Sequence, residues 1–455
     1  MSPRTDRFCV PYGNPARYPD GLSFRLPEGM RGTVVHSKSV PPVADPAAAV
    51  AGALERPLGS PPLREIVRPH DRVCIVFTDA TRASPDDLLV PALLGELTRA
   101  GVRDEHVTLL CATGMHRPST PEEKALKLGA EVAARYRVLD HEPQNPAALV
   151  DLGVTAGGVP VSLHRVAVEA DLLIATGLVE PHQYAGYSGG CKTVSVGVAG
   201  EALIGHTHGP AFVDDPRVRL GRIEGNPFQE ALVEAARRAG LRFILNVVLD
   251  DEGRLLEVAA GEPQEAFANL VAFARSVYEV EIPHSYDVVI GGVGWPKDAN
   301  LYQASRAASY LYFAPTPVVR PGGFLIIPAH CEEGAGAGVG EERFLAAMRD
   351  APDVQAILCD ARTHGYPPGQ QRAFVMAKVL EGAHVVIVGS ACPDIVATCK
   401  MTPAATMEEA LALARTTLGR NLDVLIVPHA LHTLPVVRPP RADSSQPDGG
   451  SNSRG

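Results

Sequence analysis

Three histidines and a lysine crowd residues 180–208, which read EPHQYAGYSGGCKTVSVGVAGEALIGHTH. Lys192 follows His182 by ten residues, and His208 follows Lys192 by sixteen. Imidazoles move protons or ligate metals, an amine can anchor a group covalently, and glycines let the backbone come close to a bound group. No packing requirement needs all of these together.

The turn AGYSGGCKT nearly spells a phosphate-binding loop, with Ser188, Gly189 and Gly190 ahead of Lys192. Cys191 stands where a glycine must precede that lysine, which argues against a P-loop nucleotidase. A glycine-rich turn at a helix start can still offer N–H groups to a phosphate. His206 and His208 are two apart and could both reach one metal, although a polar loop accounts for them as well. A surface lysine after a turn equally accounts for Lys192 taken alone.

Other candidates follow predicted strands. Asp79 and Arg82 in TDATR put a carboxylate and a guanidinium on one loop, and a guanidinium suits bidentate recognition of a carboxylate or phosphate. A helix cap with a surface arginine explains them too. His116 in GMHRP is a candidate acid/base, or a loop histidine capping the next helix. In NLYQASR, Gln303 and Arg306 share a helix face beside Tyr302, fit to grasp a carboxylate or simply to meet solvent. The glycine run 334–340 lacks the dinucleotide fingerprint spacing and reads as a mobile loop near a cleft.

The elements that must carry these residues alternate regularly. Apolar, β-branched runs at 72–79, 106–113, 171–179 and 242–250 read as buried strands, separated by amphipathic helices at 85–101, 120–136 and 226–240. Thr120 and Glu123 form a capping-box pair at the start of the 120–136 helix. After a helix at 264–280 the pattern restarts, with strands at 286–294, 322–330, 383–390 and 423–430 and helices at 300–313, from 341, at 370–381 and at 406–419. A short extended segment is expected at 33–36 and a small helix at 47–54. This is an α/β chain of two domains, each with a largely parallel sheet flanked by helices. Residues 1–282 form the first domain, 283–437 the second, and 438–455 a compositionally disordered tail. Ligands of open parallel sheets sit at the carboxyl ends of strands, where the polar candidates fall.

Composition bounds the rest. The 455 residues are 45% hydrophobic and 21% charged, and the net charge of −10 with no basic run argues against a nucleic-acid partner. Eight cysteines show no CxxC pair; Cys74, Cys111 and Cys359 lie in apolar runs and read as reduced core residues. No apolar run can span a bilayer and the first residues lack a signal-type apolar core, so a cytoplasmic, soluble protein is expected.

LERPLGSPPL (54–63), DATR (79–82), GMHRP (114–118), EPHQYAGYSGGCK (180–192), His208 and LYQ (301–303), in this order and spacing, resemble the nickel-dependent lactate racemase family. The resemblance implies an active site in the cleft between the two domains. It implies a nickel pincer cofactor, pyridinium-3,5-bisthiocarboxylic acid mononucleotide, supplied by cofactor-building enzymes. By position it assigns Lys192 to the covalent tether, His208 to nickel, and His116 and His182 to the two catalytic bases. Asp79 and Arg82 match an Asp and Arg near the substrate, with Asp79 and the Ser188–Gly190 turn counted toward the cofactor. Tyr302, Gln303 and Arg306 belong to the substrate side. The activity implied is racemisation or epimerisation of a small 2-hydroxy acid by reversible hydride transfer through a 2-oxo acid.

Departures from the family surround the substrate. Arg306 stands where the family has lysine, Gln371 where a tryptophan is expected, and Cys191 where arginine is common; His206 is extra. A larger or more polar 2-hydroxy acid than lactate, sugar acids included, fits those changes. Two rival readings remain: a zinc hydrolase built on His182, His206 and His208, and a non-catalytic carrier of the pincer cofactor.

Overall fold

The computed structural model describes residues 7–438. The tail expected to be disordered lies, from residue 439, outside that range.

Two six-stranded sheets carry the fold. In the first, strand order in space is Leu255–Gly261, Leu241–Leu249, Leu172–Leu178, Val73–Thr78, Val107–Ala112, Arg137–Asp140. All neighbours run parallel except Leu255–Gly261, which returns antiparallel along Leu241–Leu249. Val73–Thr78 (VCIVFT) and Leu172–Leu178 (LLIATGL) are buried at every position. Helices cover both faces, so neither strand alternates polar with apolar residues. The chain builds outward from Val73–Thr78 on one side, then crosses to Leu172–Leu178 on the other. That reversal opens a crevice at the carboxyl ends of these two strands.

The second sheet is wholly parallel, in the order Thr402–Ala404, His384–Val388, Val319–Pro328, Tyr286–Gly291, Leu422–Val427, Met30–Val34. It reverses in the same way between Tyr286–Gly291 and Leu422–Val427. Its edge strand Met30–Val34 comes from the amino-terminal region, so the two sheets do not divide cleanly at residue 282. Bonds also cross between the halves. Asp214 accepts from Arg362 and Lys378 at 2.8 and 2.7 Å, and the Tyr366 hydroxyl donates to the His208 carbonyl at 2.8 Å.

Two local expectations need correction. The helix expected over 120–136 starts on the Thr120–Glu123 capping box but stops at Leu128, because Gly129 adopts φ +80° and a second short helix restarts at Ala130. Cys359 is exposed on the outer face of helix Val354–His364, whereas Cys74 and Cys111 are buried.

Candidate active site

Strand Leu172–Leu178 delivers the chain into a tight hairpin, with His182 paired opposite Gly186. Gly186 has φ +76°, and a Cβ there would lie 2.2 Å from the Arg222 carbonyl oxygen, so only glycine closes this turn. The second bend follows at Ser188–Gly190. The Ser188 N–H donates to the Glu180 carbonyl at 2.9 Å and its hydroxyl to the Leu178 carbonyl at 2.7 Å. The Gly190 N–H donates to Asn246 Oδ1 at 2.7 Å, and the Lys192 N–H to the Gly189 carbonyl at 3.0 Å. These groups are spent on the turn itself. Ser188 and Gly190 thereby place Lys192.

Lys192 opens the short helix Lys192–Ser195 and is only partly exposed. Burial, reinforced by the Arg82 guanidinium, lowers its pKa to about 7. An amine that sheds its proton near neutrality is a nucleophile under mild conditions.

His208 ends helix Glu201–Thr207 with its Nδ1 3.0 Å from the Ile204 carbonyl. A carbonyl only accepts, so this bond puts the ring proton on Nδ1 and leaves Nε2 bare. Its ring stands edge-on between Tyr184 and Phe228, with centroids 5.2 and 5.1 Å away. Burial, with Lys192 adding to it, lowers the His208 pKa to about 4, so the ring is neutral and able to ligate.

His182 lies on the other side of Tyr184, at a centroid distance of 5.8 Å. Its Nδ1 accepts from the Tyr184 and Ala185 N–H groups at 3.3 and 3.2 Å. Two backbone donors there oppose a second ring proton, so the neutral ring carries its proton on Nε2. Burial, then the positive charges of Lys192 and Arg82, hold its pKa well below that of a free histidine.

His116 is set differently. It follows strand Val107–Ala112, is half exposed, and its Nδ1 lies 2.6 Å from Asp79 Oδ2. The ionised carboxylate accepts a hydrogen bond from Nδ1–H and leaves Nε2 as the accepting nitrogen. Burial would push the Asp79 carboxyl up, but hydrogen bonds from His116 and Thr81 outweigh it and hold it below the usual range. Each Asp79 oxygen accepts one of these bonds, so Asp79 orients His116.

Lys127 fixes the same loop, donating to the Arg82 and Ser84 carbonyls at 3.2 and 2.7 Å while paired with buried Asp86 at 2.9 Å. These bonds fix the Arg82 backbone, and the Arg82 guanidinium lies close enough to depress His182 and Lys192 alike.

The second sheet supplies the opposing wall. Asn300 caps helix Leu301–Tyr312 by accepting from the Gln303 N–H at 3.0 Å. Arg306, one turn on, donates to the Tyr310 hydroxyl at 3.0 Å and makes a long 3.4 Å contact with Gln303 Oε1, while its buried Nε has no partner. The Tyr302 ring lies edge-on to Phe344 at 5.7 Å. Arg306 also lowers His182 and Lys192, which brings it to the same cleft as Arg82. Lys297, on the loop after strand Tyr286–Gly291, belongs to this group too; burial, then Arg306, lowers its pKa. The rule that polar residues after strands carry the chemistry would have found Lys297.

One expectation fails on geometry. His206 is exposed, with its ring against Phe212 at 5.7 Å, and among the described residues no three His, Cys, Asp or Glu side chains gather to hold a metal. The His182, His206, His208 zinc centre does not form. Gln371 accepts from the Gly369 N–H at 2.6 Å and so closes its own loop.

The chain as a whole is similar to known proteins. The family model for the lactate racemase N-terminal domain covers residues 19–221, and that for the C-terminal domain covers 282–434. The lactate racemase of Lactiplantibacillus plantarum is 32% identical over 386 residues, 84% of this chain and 89% of its own length. The chain belongs to the lactate racemase family. Lactate racemase from Thermoanaerobacterium thermosaccharolyticum is 29% identical over 428 residues, covering 93% of this chain and 98% of its own. The structure of that lactate racemase apoprotein superposes with a TM-score of 0.84 at 29% identity, over 95% of this chain and 100% of the other. A Thermotoga maritima protein shares the fold, with a TM-score of 0.64 at 19% identity over 86% and 98% of the two chains. Lactate racemases are isomerases, and this chain is one by family. No helix among the described residues is long and apolar enough to cross a membrane.

Proposed function

We propose that the chain racemises or epimerises a 2-hydroxy acid with a nickel pincer cofactor, which cofactor-building enzymes supply and which is tethered at Lys192. The observation that carries this reading is the pairing of a lysine whose pKa falls to about 7 with a neutral histidine whose Nε2 is left bare. A neutral amine fits a covalent tether, and a bare imidazole nitrogen fits nickel. A site holding one histidine toward a metal suits a cofactor that brings its own donors.

Held by Lys192 and His208, the cofactor would supply a reversible hydride acceptor for the substrate α-carbon. The rest falls to the chain. Arg82 and Arg306 hold the substrate carboxylate, with Gln303 and Tyr302 beside them, so that the acid stays fixed while its carbonyl turns. His116, with Asp79 on Nδ1, takes the hydroxyl proton at Nε2. To supply a proton to the oxygen once the carbonyl has turned, His182 would have to act from its imidazolium form, with its two long Nδ1 contacts giving way, and end as the neutral ring. In the reverse direction the two exchange roles, and solvent resets both rings between turnovers. Two acid/bases are required because the hydroxyl lies on opposite sides in the two enantiomers.

A carrier of the cofactor would need Lys192 and His208 but not the Asp79–His116 pair, so that pair favours catalysis over carriage. The test is conversion of single enantiomers of 2-hydroxy acids by protein produced with the cofactor-building enzymes. Racemisation lost in both His116→Ala and His182→Ala is expected. Cofactor binding without turnover of any 2-hydroxy acid would favour the carrier.

A further inference from the structure

Arg372 sits at the start of helix Gln371–Gly382, one residue beyond the Gln371 that departs from the family's tryptophan. It is 9% exposed. Its Nη1 donates to Ser309 Oγ at 2.9 Å, and its guanidinium carbon lies 5.5 Å from the Tyr302 ring centroid. Its Nε is buried without a partner, and among the described residues no acid pairs with it. A buried guanidinium without a carboxylate is costly, and the cost is relieved when an anion arrives.

Arg372 faces the active site, not the rear of the helix. Ser309 contacts Gln183 Oε1 at 3.1 Å, and Gln183 is the neighbour of His182. Arg306 lies one turn before Ser309 on the same helix and also keeps an unpartnered buried Nε. Both arginines act on the Tyr184 hydroxyl, which burial pushes up to about 12 and which they pull the other way. Tyr184 is the ring between His182 and His208. The cleft therefore holds Arg82 and Arg306 for one carboxylate and a further buried cation beyond them.

We infer that Arg372 forms a subsite for a second anionic group, so that the substrate is a 2-hydroxy dicarboxylic acid. The inference rests on the racemase reading above and narrows it. A sugar acid offers neutral hydroxyls beyond its carboxylate, and lactate offers a methyl group; neither matches a guanidinium kept dry and unpaired.

Cofactor-loaded protein is assayed with single enantiomers of malate, 2-hydroxyglutarate, lactate and gluconate. The expected result is a kcat/KM for one of the diacids at least about tenfold above lactate and gluconate, with that ratio falling at least about tenfold in Arg372→Gln through KM. Arg372→Lys, which keeps the charge but loses the planar fork, retains part of the preference and serves should the glutamine variant not fold. Succinate, which has no hydroxyl to react, is titrated against propionate by calorimetry and binds more tightly only while Arg372 is present. Preference for lactate or gluconate in the unaltered protein overturns the inference and leaves the racemase reading standing. Arg372-dependent succinate binding without turnover of any 2-hydroxy acid would keep the anion subsite but overturn the racemase reading and, with it, the 2-hydroxy diacid as substrate. Loss of the nickel adduct in Arg372→Gln would assign Arg372 to the cofactor's phosphate and also overturn it.

Discussion

Asp79 Oδ2 and His116 Nδ1 lie 2.6 Å apart, and that contact decides which nitrogen of His116 can accept a proton. The carboxylate holds the Nδ1 proton, stays ionised itself, and leaves Nε2 bare toward the cleft. The expected consequence is that Asp79→Asn lowers kcat about 10–100-fold with little change in KM, as loss of such an orienting partner does. Steady-state kinetics on cofactor-loaded protein check it. A loss of cofactor adduct instead would return Asp79 to the cofactor.

With His116 and His182 proposed to serve opposite faces of the substrate, removing either is expected to stop racemisation in both directions. Each alanine variant is expected to lose about 10²–10⁴ in rate, the range for one acid/base group. Chiral analysis of product over time checks this. Full activity in either variant would remove that histidine from the mechanism.

Lys192 loses its proton at about pH 7, because burial and then the Arg82 charge disfavour the ammonium. A free lysine does so near ~10.4. With the protein free of cofactor, acylation of Lys192 therefore rises through pH 7 and levels off above it, while surface lysines continue to gain reactivity toward pH 10. Peptide mapping after brief labelling separates the two. A Lys192 profile that tracks the surface lysines would contradict the buried, neutral amine.

Asn246 is fully buried in strand Leu241–Leu249 and its Oδ1 receives the Gly190 N–H at 2.7 Å. Asn246→Ala leaves that N–H unpaired, and the expected loss is about 1–3 kcal/mol by denaturant unfolding. Because the same bond positions the bend before Lys192, adduct yield should fall with it. Unchanged stability and yield would mean that the turn is held by its other bonds.

Much of this was legible in the sequence where burial is complete. Val73–Thr78, Leu172–Leu178 and Tyr286–Gly291 are apolar because helices cover both of their faces, so composition alone marks them. Hairpin Leu149–Val154 with Pro160–His164 escaped, since its first strand is largely exposed and reads as polar loop. Pairing of Met30–Val34 with Leu422–Val427 joins segments nearly a chain apart, and no local pattern records such a contact. The motif order singled out Lys192, His182, His208 and His116, but not how each ring is protonated, which depends on Ile204, Tyr184, Ala185 and Asp79 in space. Arg372 was hidden beside Gln371 for a similar reason: adjacent helical residues face different ways, and only packing tells which one meets Ser309.

The tether at Lys192 is the central claim, and intact-mass analysis with metal quantification tests it most directly. Protein co-produced with the enzymes that build the pincer should carry nickel and a mass increase equal to the cofactor, both absent in Lys192→Ala. An unmodified mass with zinc in place of nickel would contradict the account.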